Sequence, residues 1–153
     1  MAERTEGSIE IEAQPEEIME VIADYESYPD WVDGIRSAEI RSRDGRGRAT
    51  EVDYEFAAMG FTASYTLAYE YAEDHAGVSW TTAKASGAVK DITGEYVLDA
   101  LNGDTEVTYR LTVELNVPVP GFLKRRADRT AIRTALEGLK ERVEGEGDTI
   151  GAS

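Results

Sequence analysis

Four tyrosines, Tyr54, Tyr65, Tyr96 and Tyr109, stand at alternate positions of four separate runs, so each would project from the dry face of a sheet. Phe56 and Trp80 share those faces. A buried phenol wants a hydrogen-bond partner, and leaving it unpaired costs on the order of 1 to 3 kcal/mol. Four inward hydroxyls on four strands point to a water-bearing cavity or to a guest with oxygens of its own. Any one of them alone is equally explained by a hydroxyl that reaches the surface at the end of the sheet.

Three further groups have chemical potential. Arg125, Asp128, Ile132, Leu136 and Leu139 fall near one stripe of the last helical segment. Arg125 and Asp128 at i, i+3 could enter the mouth of a cavity and anchor a carbonyl or hydroxyl, or polarise an enolate. The alternative is an ordinary surface ion pair worth under ~1 kcal/mol. The stretch DYESYPDWVDGI, Asp24 to Ile35, crowds Tyr25, Tyr28, Pro29 and Trp31 together. It reads either as a rim stiffened by Pro29 that admits an apolar guest through Trp31, or as aromatic rings plugging the end of the sheet. His75, in the turn-like EDHAG, is the single histidine. One imidazole in a solvated turn supports neither a Ser-His-Asp arrangement nor a histidine metal site, so no metal is expected. The sequence identifies no catalytic residue and implies no cofactor.

Composition narrows the field. At 153 residues the chain can bury one proper core, and we expect one domain over residues 1–145 with a flexible tail at 146–153. The absence of cysteine removes disulfides, thiolate nucleophiles and Cys-ligated clusters. Thirty-one acidic residues against sixteen basic ones give a formal charge of −15, which repels a phosphate backbone and makes nucleic acid an unexpected partner. No run approaches a membrane span and MAERTEGSIE is not a secretory leader, so the expected address is the cytoplasm, without stable membrane insertion. The cations cluster at one place, Lys124 to Arg126. Oligomeric state is not legible.

The elements that must position these residues follow from a period that changes twice. SIEIEA alternates and reads as a strand; QPEEIMEVIADY has Pro15 near its start, two glutamates in the first turn and Ile18, Val21 and Ile22 at helical spacing. From about Ile35 to Leu115 the period is two, interrupted by the turn signals RDGRG, AMG, EDHAG, ASG and LNGD, which predicts an antiparallel meander of six strands. Gly94, inside a strand, predicts a bulge or bend that curves the sheet. After VPVPG, Ile132, Leu136, Leu139 and Val143 mark a long helix from Phe122 to about Val143. One helix about 10 to 12 Å across cannot cover seven strands spaced ~4.8 Å. If the sheet curls around it, the remaining space takes large side chains or a ligand.

The order of elements, the opening SIEIEAQPEEIMEVIADYESYPDWV and the closing VPVPGFLKRRADRTAIRTALEGLKERVE together resemble the START-like helix-grip (SRPBCC) superfamily, in its polyketide cyclase/dehydrase and coenzyme Q-binding branch. The most specific element is the A-x-P-E-x-I helix start followed by D-Y-x-x-Y-P-x-W. The resemblance implies an α+β fold, a curved antiparallel sheet of about seven strands wrapped around a long C-terminal helix with two short helices after the first strand. It also implies a cavity under that helix for a lipid, quinone or polyketide, with Trp31 at its mouth and the dry-face aromatics on its wall. The expected function is binding, and possible carriage, of such a hydrophobic small molecule. The rivals are a polyketide aromatase/cyclase using the same cavity and a protein-interaction module whose aromatic rim docks a partner.

Overall fold

The computed structural model describes residues 3–58 and 60–152, with side chains as far as Gly145; the tail expected at 146–153 falls outside the described side chains. The chain runs β1 (Thr5–Ile11), α1 (Pro15–Ile22), a 3-10 turn (Tyr25–Asp30), β2 (Ile35–Arg43), β3 (Ala49–Ala58), β4 (Phe61–Tyr71), a second 3-10 turn (Glu73–His75), β5 (Gly77–Gly87), β6 (Val89–Leu101), β7 (Asp104–Leu115) and α2 (Gly121–Ala152). The seven strands form one antiparallel sheet in the order β1-β7-β6-β5-β4-β3-β2, a meander from β2 to β7 with β1 added beside β7. With the long C-terminal helix and the short helices after β1, this is the helix-grip architecture.

The meander gives the sheet two unlike ends. At the closed end lie the turns after β2, β4 and β6, the β1–α1 corner and the C-terminal half of α2. There Ile11, Ile18, Ile22, Tyr25, Val107 and Leu139 are all but sealed from solvent. Gln14 spends its side-chain amide on the Gly103 carbonyl (2.8 Å) rather than on capping α1, whose start rests on Pro15, Glu16 and Glu17. Glu144 ties α2 to this corner. Its carboxylate accepts from the Glu12 backbone N–H (2.9 Å) and from Lys140 Nζ (2.6 Å), and Lys140 also donates to the Glu10 carbonyl (2.8 Å).

This clasp should make stability fall in acid. Partial burial alone would raise the Glu144 pKa, but the Glu12 N–H and the Lys140 ammonium outweigh it and hold the carboxyl below its ordinary value. A depressed folded-state pKa stabilises above the unfolded value and loses that stability as pH falls through the folded one. Glu144→Gln is therefore expected to lower the unfolding free energy at pH 7 by on the order of 1 kcal/mol. Urea titrations should show the gap between variant and wild type closing below the usual glutamate range.

At the open end the loops are stitched together by backbone bonds from Ala57 to Gly34 (2.9 Å), Ala88 to Thr62 (3.0 Å) and Asn116 to Ala88 (2.8 Å). α2 starts at this end and crosses to the closed one, packing on β1, β7 and α1. Gly7 lets it come close, since a Cβ there would meet Ile132 at 2.7 Å and Leu136 at 3.4 Å. Ile132 is also the first buried residue of α2.

The curvature does not arise where the sequence placed it. Gly94 is paired in regular register with Leu111 on one side and Trp80 on the other. The irregularities fall instead within β2, opposite Thr66 and Leu67 where β5 carries Ala83 as an extra residue, and between Val89 and Asp91. Gly94 is needed for another reason: a Cβ would meet the Arg110 carbonyl oxygen at 2.5 Å and the Trp80 ring at 2.7 Å, so the missing side chain is the seat of the indole. Beyond Trp80 the β5–β6 ladder ends, and the Thr82 hydroxyl takes over, accepting from Ile92 N–H (2.7 Å) and donating to Ile92 O (2.9 Å). The sheet is thus loosened toward its open end.

Candidate functional site

Because α2 covers only the β1–β7 side, the rest of the concave face must cover itself, and it does so with aromatic rings. Tyr28 packs between Trp31 and Tyr54, Tyr25 lies on Tyr69, and Trp80 touches Tyr69, Tyr96 and Tyr109. Tyr96 and Tyr109, directly opposite on β6 and β7, are stacked with centroids 4.5 Å apart. Much of the width predicted to stand open therefore holds the protein's own rings. A hollow of about 360 Å³ lies at the rim of the open end, lined by residues 29–36 and Ala57.

The tyrosines divide into two sets, and the division locates the candidate site. In one set every hydroxyl has a partner: Tyr54 with Tyr69 (2.6 Å), Tyr25 with Tyr71 (3.0 Å), Tyr71 onward to the Ala49 carbonyl (2.7 Å) and Tyr28 to the Ile22 carbonyl. Among the described residues, the hydroxyls of Tyr65, Tyr96 and Tyr109 have none, yet they are not sealed polar atoms. Tyr65 and Tyr96 are each 8% exposed and Tyr109 is half-buried. Tyr65 lies in the half of β4 nearer the open end, level with Tyr54, whereas Tyr96 and Tyr109 stand opposite each other near the middle of β6 and β7. Burial pushes all three phenols above their ordinary pKa, so they stay neutral and offer protons to acceptors. Two sealed groups, the indole N–H of Trp31 and of Trp80, also lack an acceptor.

The other predicted residues are distributed as follows. Tyr54 is inward but committed to Tyr69, so its hydroxyl belongs to the core. Phe56 is inward beside Gly34, whose left-handed backbone (φ +87°) and missing Cβ make room for the ring. Trp31 stands at the rim with its ring against Gly138 of α2, where a Cβ would sit 3.3 Å from it. Ile132 is buried against β1. The expected Arg125–Asp128 pair is not formed. Asp128 binds Lys124 at 2.7 Å, both side chains mostly buried, and Arg125 is exposed, turned back toward Gly121. His75 is exposed in its turn.

The wall has a simple chemistry. Inward strand positions such as Val52, Leu67, Ala85, Ile92, Leu111 and Val113 are apolar, and the polar groups among them are tyrosine, tryptophan and threonine. The carboxylates lie on the outer face, as with Asp53 between Arg41 and Thr66, or Glu6 and Glu95 flanking Arg110. Among the described residues no group of three or more His, Asp or Glu side chains is arranged to hold a metal ion. The sequence reading placed Tyr28 in the rim stretch without a site role and left out Tyr69, although Tyr69 shares the face of Tyr65. It also missed the Trp31–Gly138 contact, for which a glycine inside a helical pattern was the available signal.

Comparison with known proteins agrees with this architecture. No protein of curated function matches the chain. A START superfamily protein from Mycobacterium smegmatis superposes with a TM-score of 0.83 at 21% identity, covering 93% of this chain and 97% of the other. An aromatase/cyclase from a Streptomyces species gives 0.75 at 15% identity, covering 94% of each chain. A STAR-related lipid transfer protein from Xanthomonas axonopodis gives 0.70 at 14%, covering 92% of this chain and 85% of the other. At these identities the likeness establishes the fold. The family is established by sequence: the model described as polyketide cyclase / dehydrase and lipid transport matches residues 11–140, and the chain belongs to that family.

Proposed function

We propose that the protein binds an apolar small molecule bearing neutral oxygens, in the space between α2 and the middle of the sheet. The guest is of the lipid, quinone or polyketide kind. The observation that carries this reading is the set of three neutral, unpartnered hydroxyls on Tyr65, Tyr96 and Tyr109 in an otherwise apolar wall. Such groups favour a carbonyl, ether or hydroxyl and offer nothing to balance a charge. Rings now in mutual contact must part for a guest of any length, so the observed affinity is reduced by the population of the opened form. The exposed first turns of α2 and the loosened β5–β6 edge are where the opening costs least.

A cyclase would use the same hydroxyls as donors to an enolate oxygen. It would also need a base, and phenols whose pKa is raised by burial are poor ones. Binding is therefore the stronger reading. Extraction of the purified protein with organic solvent, followed by mass spectrometry, is expected to release an oxygen-bearing apolar molecule, and protein so stripped should bind a fluorescent long-chain ketone. Stripped, folded protein that takes up neither the ketone nor its own extract would overturn the proposal.

A further inference from the structure

Five of the chain's sixteen cations, Lys124, Arg125, Arg126, Arg129 and Arg133, fall within residues 121–133 of α2, beside a single carboxylate, Asp128. The rest of the molecule is correspondingly more acidic than the formal −15 of the whole. Lys124 is neutralised by Asp128 at 2.7 Å, and Arg133 faces Glu137 loosely at 3.7 Å with both side chains well exposed. Arg125, Arg126 and Arg129 have no carboxylate partner among the described residues. Phe122, Arg125, Arg126, Arg129 and Arg133 stand at i, i+3, i+4, i+7 and i+11, which is one stripe of a helix. All five are exposed, Phe122 at 65%, with Leu123 beside it at 44%. At the same end of the molecule Phe61, the first residue of β4, is 42% exposed.

An aromatic ring left in water at the head of an unneutralised arginine stripe suits an interface between charge and hydrocarbon. We propose that this end of the molecule docks on an anionic lipid bilayer. The arginines of α2 meet the phosphate headgroups, and Phe122 and Leu123 reach the acyl boundary. Charge complementarity selects this occupant. A nucleic-acid backbone would satisfy the arginines but leave Phe122 and Leu123 in water. The acidic remainder does not forbid docking, because at physiological salt a charge is screened beyond about 8 Å and only the apposed end is felt. Docking by this end turns the loops of the open end toward the membrane plane. The assignment concerns exposed side chains in the first turns of α2 and stands whether or not the interior binds a guest.

The test is co-sedimentation of the full chain, stripped of extractable molecules, with phosphatidylcholine vesicles and with vesicles in which roughly a third of the lipid is phosphatidylserine. Preference for the anionic vesicles by at least about tenfold is expected, falling by a similar factor in Arg125→Glu/Arg126→Glu/Arg129→Glu and in strong salt. Phe122→Ser/Leu123→Ser should weaken it comparably, whereas Arg46→Glu in the β2–β3 turn at the closed end should leave it unchanged. Circular dichroism verifies the fold of each variant. Equal binding to both vesicle types, binding to neither, or anionic binding that survives both sets of substitutions would overturn the proposal. So would a concentration-dependent dimer that Phe122→Ser abolishes, which would assign the patch to a second copy of the chain.

Discussion

Replacing Tyr96 and Tyr109 together by phenylalanine is expected to weaken binding of an oxygen-bearing apolar guest by about tenfold or more while leaving the unfolding free energy within about 0.5 kcal/mol of wild type. The two halves of this prediction have one cause. Neither hydroxyl has a protein partner, so deleting both orphans nothing in the free protein. Each hydrogen bond given to a guest contributes about 0.5 to 1.5 kcal/mol, and two of them correspond to roughly five- to 150-fold in affinity. A pure hydrocarbon probe of similar length, which makes no such bonds, should bind both proteins alike. Equal loss for ketone and hydrocarbon would mean that the rings, and not their hydroxyls, hold the guest.

Tyr54→Phe supplies the control with the opposite outcome. Its hydroxyl lies 2.6 Å from that of Tyr69, and deleting it leaves a deeply buried phenol without a partner. That should cost about 1 to 3 kcal/mol in a urea titration, with little effect on the guest's oxygens. The same chemical change, on two tyrosines of the same sheet face, thus moves binding in one case and stability in the other.

This division marks how far the sequence could be read. The meander, its turns, the covering helix and the inward direction of Tyr54, Tyr65, Tyr96 and Tyr109 were all legible, because alternation and helical spacing report which face a residue takes. Which hydroxyls are satisfied was not. Tyr54 stands opposite Tyr65 in the register yet bonds Tyr69, four residues further along β4, a choice made by ring tilt and packing. The Arg125–Asp128 expectation failed for a related reason. A helical wheel gives direction around the axis and not the partner a carboxylate takes: Asp128 is held by Lys124 one turn earlier, and Arg125 is left in water. Trp31 and Gly138, 107 positions apart, meet only because α2 crosses the rim there, a contact that no local pattern encodes. Gly94 was read as a bend because a glycine within a strand is compatible with either a bulge or a close approach, and the register that brings Trp80 opposite it is a tertiary fact.

Gly94→Val is accordingly expected to be the most damaging single substitution on the concave face, lowering stability by about 3 kcal/mol or more. Strand propensity alone argues the reverse, since valine suits a strand better than glycine by up to ~1 kcal/mol. Sterics decide the sign. The new Cβ would lie 2.5 Å from the Arg110 carbonyl oxygen, which the sheet holds in place, and 2.7 Å from the Trp80 ring, which can move only by disturbing Tyr69, Tyr96 and Tyr109. The two contacts can be separated by a double-mutant cycle of Gly94→Ala with Trp80→Leu. Removing the ring relieves one clash and leaves the other, so the pair should be less destabilised than the sum of the single changes by about 1 to 2 kcal/mol. Strict additivity would show that backbone crowding at Arg110 alone keeps this position glycine. Trp80 would then be an ordinary core residue, and the aromatic wall would have lost its fixed point.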